Sequence, residues 1–488
     1  MMVMVLQKNR ERKEYICLLL MAAFVFSMLF SSQTEAAGRM KQYGLSTAAQ
    51  LTKELDNMVN TREYYQVPGL GVIVYKNGKE VYSHFAGRAY IDKNNPANDR
   101  PITRDTRYRI ASISKTFTVV TVMQLVEKGK LKLDADVSRY LGYTLRNPHF
   151  PRTPITLRML LAHTSSIRDG GSDTYCIPPN LSLRECFEPR GKFWENGTHF
   201  SSEKEPPGVY FHYSNLNYVL MGAIIERVTG KRFDLYQKQN ILKQLDTKAD
   251  YIAANLRDEE FYNLAVLYRK RNEEGVWNVN GPWYVVRDEF NGRPASNSVE
   301  SDNAFASMYG YRGKTRSVYS FENYKIGTNP SYIGPQGSLR VSLPELGNML
   351  QMLGNRGRFR NRRILSEKSV QEIITPQWSY NEKKKNGNTY EGALLKYGLG
   401  IILIDGDKSA RCCRKYKVDL IGHTGEACGL IAGAFFFADK PLDGFVFATN
   451  GEAVEEDEDP RCNGKFSGNY IWEEMIMDAI IRAMVEDK

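Results

Sequence analysis

The chain of 488 residues is poor in the residues that usually carry metal and nucleophile chemistry: six histidines, seven cysteines and five tryptophans. No Cys-x-x-Cys or His-x-x-x-His spacing occurs, so the common zinc patterns are missing and neither a metal nor any other cofactor is expected. No Gly-x-Ser-x-Gly elbow occurs either, which excludes the α/β-hydrolase arrangement, and the histidines outside position 423 offer no triad. Lys and Arg outnumber Asp and Glu for a net charge of +10, but the two signs are interspersed. No basic stripe with interleaved aromatics stands out, so nucleic acid is not an expected partner, and the charge alone licenses weak attraction to acidic surfaces.

Long apolar runs are also scarce. One extends from Ile16 to Phe30, after basic residues Lys8 to Lys13 and before the small residues Ala36 and Ala37. That layout predicts a secretory signal peptide over residues 1–37 and a mature domain over 38–488, because the run is short for a bilayer span. The acids Glu11 and Glu14 leave an uncleaved signal-anchor facing the lumen or the outside as the alternative. The mature protein is then expected to be secreted, with no membrane span. Its six cysteines, 176, 186, 412, 413, 428 and 462, allow fifteen full pairings. Cys176 with Cys186 is the simplest bridge, both lying in one loop, and adjacent Cys412 and Cys413 would reach Cys428 and Cys462. Sequons at Asn180 and Asn196 mark the same loop as a candidate glycosylated surface.

In chain order, Thr47 to Asn60 has the spacing of an amphipathic helix. Gly71–Tyr75 and Glu80–Phe85 read as a hairpin across Asn77-Gly78. A helix opening near Ser112 runs to Lys128-Gly129, a short one follows Thr156, and another spans Asn217 to Thr229 before Gly230. Residues 168–210 are loop-like, and the aperiodic, aromatic-rich stretch 278–333 reads as a lid. Ser342 to Glu345 is a capping-box pattern opening a helix to about Leu353. Strands are expected at Leu399–Ile404, Leu430–Ala438 and Gly444–Thr449, with a closing helix at Trp472–Val485. The acidic run Glu455–Asp459 reads as a solvated loop. Strands at both ends with helices between predict an α/β (α+β) fold: an antiparallel sheet flanked by helices, with an α/β lobe from about 40–115 and 334–488 and an inserted helical lobe from about 116–333.

Ser112 and Lys115, three apart on a helix start, share a face, and an amine whose pKa is lowered by burial could take the serine proton. Tyr213-x-Asn215 precedes a later helix, and His423-Thr424-Gly425 lies beside a late strand. With Leu161-Ala162-His163-Thr164-Ser165 and Tyr397-Gly398-Leu399-Gly400 between them, these motifs resemble in order the serine β-lactamase and penicillin-binding-protein superfamily. The nearest branch is the one holding class C β-lactamases, D-aminopeptidases, carboxylesterases and animal β-lactamase-like proteins. The resemblance implies Ser112 as nucleophile, Lys115 as its amine partner and Tyr213 as a second proton-transfer group. It further implies substrate contacts from Asn215, His423, Thr424 and Gly425, and an oxyanion hole from the amides of Ser112 and Glu426. His163 reads as structural. Where β-lactamases carry Lys before Thr-Gly, this chain has His423, which removes a permanent cation for a substrate carboxylate. An ordinary histidine would titrate near pH 6.5 and supply that cation only in acid. The expected function is a secreted serine hydrolase acting through an acyl-enzyme on an ester, amide or peptide. A transpeptidase and a non-catalytic binding or scaffold protein are the alternatives, and the oligomeric state is open.

Overall fold

The computed structural model describes residues 45–170, 177–272, 276–290, 298–302, 316–408, 411–452 and 460–487. The expected signal segment 1–37, Cys176 and the acidic run 455–459 lie outside the described residues.

A nine-stranded sheet forms the spine. Its order is Trp378–Ser379, Lys396–Tyr397, Ile402–Ile404, Leu420–Ala427, Leu430–Phe437, Gly444–Thr449, Gly69–Lys76, Lys79–Tyr90 and Arg100–Pro101. Every neighbouring pair in it is antiparallel. The Asn77-Gly78 turn sits in the left-handed region at both residues (φ 51° and 73°), which matches the twist of the strands it joins. The fold is thus α/β, with a large antiparallel sheet flanked by helices.

Gly69–Lys76, Leu430–Phe437 and Gly444–Thr449 are apolar almost throughout because both faces are covered. In Gly69–Lys76, Leu70, Val72 and Val74 pack into one core while Ile73 and Tyr75 pack into the other. The first core lies under the helices Ala48–Asn60 and Ile471–Glu486, which contribute Leu51, Leu55, Trp472, Ile476 and Ile480. Burial on two faces removes the alternation that a half-exposed antiparallel strand shows. The second core joins the sheet to helices between residues 114 and 262, including Ser114–Glu127 and Leu216–Thr229. The Ser114–Glu127 helix is buried at each residue from Ser114 to Leu125, polar ones included.

Several local expectations meet the structure closely. Thr156 caps Leu157–Leu161 by accepting from the Met159 amide at 3.3 Å. Gly230 ends Leu216–Thr229 in the left-handed region, and the Ser342 amide donates to Glu345 at the head of Leu343–Gly354. The stretch 278–333 differs from the loop expected of it. Trp283–Arg287 pairs with Leu267–Lys270, and Ser298–Asp302 pairs with Arg316–Ser320. Short strands of mixed polar and aromatic residues carry no clear period, which is why this stretch reads as a loop.

The cysteine expectations need correction. Cys186 is a buried free thiol, pushed up to about 12 by burial, so the expected bridge to Cys176 is not made at its Cys186 end. Cys413 and Cys428 are likewise free. The sheet explains their separation: Cys428 packs in the core toward the helical insertion, whereas Cys412, Cys413 and Cys462 pack in the core under the terminal helices. Asn180 and Asn196 are both exposed. Among the described residues no helix is long and apolar enough to cross a membrane.

Candidate active site

Strand Arg107–Arg109 leads into a single 3-10 turn, Ala111–Ile113, that feeds the Ser114–Glu127 helix. Ala111 is held at φ 44°, a conformation costly for a residue with a Cβ and characteristic of functional turns. The turn presents Ser112 at the mouth of the helix, where first-turn amides lack intrahelical acceptors. Strand Leu420–Ala427 runs against this turn so closely that a Cβ on Gly425 would stand 2.4 Å from the Ile110 carbonyl oxygen. Glycine at 425 is therefore a packing requirement. The His-Thr-Gly segment, expected beside a strand, lies within it, paired in register with Leu430–Phe437.

Lys115 is completely buried. Its Nζ is 2.9 Å from Ser112 Oγ, 2.9 Å from Asn215 Oδ1 and 2.9 Å from the Gln336 carbonyl oxygen. Burial lowers its pKa to about 7, with the Asp169 charge acting in the opposite direction. Two of the three neighbours are pure acceptors and take two N–H bonds from a neutral amine. The remaining tetrahedral position faces Ser112, so the neutral amine can accept the serine proton there.

Tyr213 is placed over the same amine, with Lys115 Nζ 4.8 Å from its ring centroid. Its hydroxyl is buried without a well-formed hydrogen bond, although Ser112 is near enough to favour the phenolate slightly. Burial dominates and pushes the phenol far above its ordinary range, so the group stays protonated near neutral pH. A phenolate base at Tyr213 is therefore disfavoured, and Lys115 is the group poised to accept a proton.

His163 stacks on Tyr213 with centroids 4.1 Å apart and planes 28° from parallel. Its Nδ1 accepts from the Ser214 amide at 3.1 Å, which requires the neutral ring to carry its proton on Nε2. Burial, with Lys115, His423 and His212 nearby, holds its pKa well below the usual value. His423 departs from its expected behaviour. It is 2% exposed, its Nε2 meets the Tyr397 hydroxyl at 3.0 Å, and its Nδ1 lies 2.6 Å from the Thr424 carbonyl oxygen. Burial and then Lys115 lower its pKa to about 3, so it remains neutral where an ordinary histidine would titrate.

Sequence reasoning missed Asp169. Its Oδ1 accepts from Ser214 Oγ at 2.7 Å and the Leu216 amide at 2.8 Å; its Oδ2 accepts from the Asn215 amide at 2.9 Å and Asn215 Nδ2 at 3.1 Å. By taking the Asn215 amino group it leaves Oδ1 as the end that faces Lys115. It also caps the Leu216–Thr229 helix, at the helix end that favours negative charge. A single acid in a glycine-containing loop has no spacing signature that could have revealed this. Gln336 was equally hidden, because it acts through its backbone carbonyl, in a loop fastened to the serine helix by Thr118 Oγ1 donating to Pro335 O at 2.9 Å.

The structure thus brings Ser112, Lys115, Tyr213 and Asn215 together around one amine, with His423 joined to the same aromatic cluster through Tyr397 and Tyr213. Residues 55–461 match the family model described as Beta-lactamase. Protein flp of Staphylococcus aureus is 30% identical over 182 residues, 37% of this chain and 34% of that protein, so the chain spans about a third of the length of such curated relatives. The mitochondrial serine beta-lactamase-like protein LACTB of Mus musculus is 26% identical over 373 residues, 62% of this chain and 64% of that protein. Among solved structures, an octameric penicillin-binding protein homologue from Pyrococcus abyssi superposes with a TM-score of 0.58 at 21% identity, covering 90% of this chain and 78% of that one. A D-amino acid amidase from Ochrobactrum anthropi SV3 does so at 0.56 and 19% identity, covering 90% and 99%. These likenesses show the shared fold. By the extent of the family match and by its architecture, the chain belongs to the beta-lactamase family.

Proposed function

We propose that the protein is a serine hydrolase that acylates Ser112 with an ester, amide or peptide substrate. The observation that carries this reading is the buried Lys115 amine, with two positions bound to acceptors and the third 2.9 Å from Ser112 Oγ. As the Ser112 oxygen bonds to the substrate carbonyl carbon, its proton passes to Lys115 Nζ. The carbonyl oxygen, now an anion, is received by the amides of Ser112 and Glu426. Collapse expels the alcohol or amine, which takes the proton held by Lys115 through the Tyr213 hydroxyl. Water then enters by the reverse route: it loses a proton to the same relay as its oxygen bonds to the acyl carbon, and collapse breaks the bond to Ser112 Oγ, which takes that proton back as the carboxylic acid leaves.

In this scheme Asn215 orients both Lys115 and the substrate carbonyl, and Thr424 and Gly425 offer strand edge to the acyl chain. His423 supports Tyr397 and contributes a neutral wall, so recognition of a substrate carboxylate is not assigned to it. Export with a leader over residues 1–37, glycosylation at Asn180 and Asn196 and the division into an α/β lobe and a helical lobe complete the reading.

Fluorophosphonate treatment followed by peptide mapping tests it. The adduct is expected on the peptide containing Ser112 and is lost in Ser112→Ala, with turnover reduced on the order of a thousandfold or more. An adduct on another residue, with full activity in Ser112→Ala, refutes the reading.

A further inference from the structure

Residues 356–363 hold five arginines and no acid: Arg356, Arg358, Arg360, Arg362 and Arg363. Arg358–Phe359 and Arg362–Arg363 form a two-stranded antiparallel hairpin with Arg358 directly opposite Arg363 and Phe359 opposite Arg362. Phe359, Ile364 and Leu365 are buried and pin the hairpin to the body, while all five arginines are exposed. Asp246 accepts from both Arg360 and Arg362 at 2.5 Å, and Glu367 pairs with Arg356 at 3.0 Å. Glu127 feels the charge of Arg363, but its carboxylate is bonded to the Ser366 amide and the Ser369 hydroxyl. Arg358 and Arg363 have no ion pair among the described residues.

Like charges placed directly across a strand pair are unfavourable, and neither guanidinium fills a core position that would require it. An external anion would relieve the arrangement. Guanidinium forks match the oxygens of sulfate and phosphate better than point charges do. The hairpin's aromatic, Phe359, is buried, so no exposed ring is offered for stacking a base. Nor does the hairpin expose an apolar side chain for insertion into a bilayer. What remains is a pair of unpaired, solvent-facing guanidinium groups, Arg358 and Arg363, side by side on the hairpin face opposite buried Phe359 and suited to a linear polyanion without stacking or insertion. We propose that the Arg358–Arg363 hairpin is a docking surface for a sulfated polysaccharide. This assignment is independent of the chemistry at Ser112.

Heparin, a soluble sulfated polysaccharide, is the probe. Its affinity for the full chain is measured across a salt series and compared with that of Arg358→Gln/Arg363→Gln. Lys383→Gln/Lys384→Gln, in an exposed loop, is the control for an equal loss of charge. The hairpin variant is expected to bind about tenfold more weakly near physiological salt, with the slope of log affinity against log salt reduced by about 2. The lysine control should change far less. Because removing like charges does not disturb folding, the melting temperature of the hairpin variant should be unchanged or higher. Equal losses in the two variants, or no loss in the hairpin variant, overturn the proposal. So does tighter hairpin-dependent binding of single-stranded DNA or of phosphatidylserine vesicles than of heparin.

Discussion

The imidazole of His163 lies face to face with the Tyr213 ring, centroids 4.1 Å apart, while the Lys115 amine is 4.8 Å from the centroid of that ring. The phenol is therefore fixed by packing rather than by a hydrogen bond of its own. Tyr213→Phe should preserve this packing and the fold. In the proposed relay it should slow hydrolysis of an amide by about a hundredfold to a thousandfold, because the leaving amine must be protonated. Acylation by a fluorophosphonate, whose fluoride leaves without a proton, should fall much less. Parallel measurement of the two rates checks this; equal losses would place Tyr213 in deprotonating Ser112 instead.

Asp169 sets which end of Asn215 faces Lys115 and contributes the negative charge that opposes the lowering of the Lys115 pKa. The other titratable groups facing this amine, His163, His423 and Tyr213, are held uncharged by burial. Asp169→Asn should lower the plateau rate by tenfold or more, since about two charge-assisted bonds are lost. It should also move the acidic limb of kcat/KM to lower pH, because a charge that favours the ammonium is gone. A rate loss with an unmoved limb, measured over pH 5 to 9, would limit Asp169 to scaffolding.

Burying Lys115 has a stability signature of the opposite slope from that of a salt-bridged lysine. Its folded pKa of about 7 lies below the unfolded value of 10.5. Below pH 7 the fold therefore carries the full cost of neutralising or desolvating the amine. Between pH 7 and 10.5 the unfolded state binds the extra proton, and the cost shrinks as pH rises. Lys115→Met abolishes that dependence, although it leaves the Asn215 and Gln336 oxygens without their donor. The unfolding free energy of the variant minus that of the parent should fall by about 1.4 kcal/mol per pH unit across this window. Urea unfolding at pH 7, 8.5 and 10 measures it; a difference independent of pH would contradict a depressed lysine.

His423 should not act as an acid-induced cation. With both ring nitrogens engaged and its pKa lowered to about 3, it stays neutral from pH 7.5 to 6. The ratio of kcat/KM for a carboxylate-bearing ester over its neutral methyl ester should be flat across that range. A ratio that rises several-fold on acidification would show that the imidazole is solvated and titrates.

Much of this arrangement was legible before the structure because its signals are local. Asn77-Gly78, Thr156, Gly230 and the Ser342–Glu345 pattern each satisfy turn or cap chemistry within a few residues, and the elements begin or end there. The closeness of the Ser112 and Lys115 side chains was legible for the same reason, the two residues being about one helical turn apart. What escaped was chemistry carried by long-range backbone geometry or by burial. The carbonyl of Gln336 reaches Lys115 across 221 positions, a role in which the identity of the side chain takes no part. The neutrality of His423 depends on its burial in the packed cluster that includes Tyr397 and then on the nearby Lys115 charge, which no local pattern encodes. A bridge from Cys412 or Cys413 to Cys428 is precluded because the two sides pack in cores on opposite faces of the sheet, a separation that linear spacing does not express.

The central claim is that a neutral, buried Lys115 draws the proton from Ser112, and the pH dependence of single-turnover acylation tests it most directly. Rapid-quench labelling of Ser112 by a fluorophosphonate from pH 5 to 10 should give a rate that rises with the deprotonated amine, with its midpoint near the Lys115 pKa of about 7. Lys115→Met should lower the plateau by about a hundredfold or more and erase that midpoint. A Ser112 labelling rate in the parent that is independent of pH across this range, or that keeps its midpoint in Lys115→Met, would contradict the account.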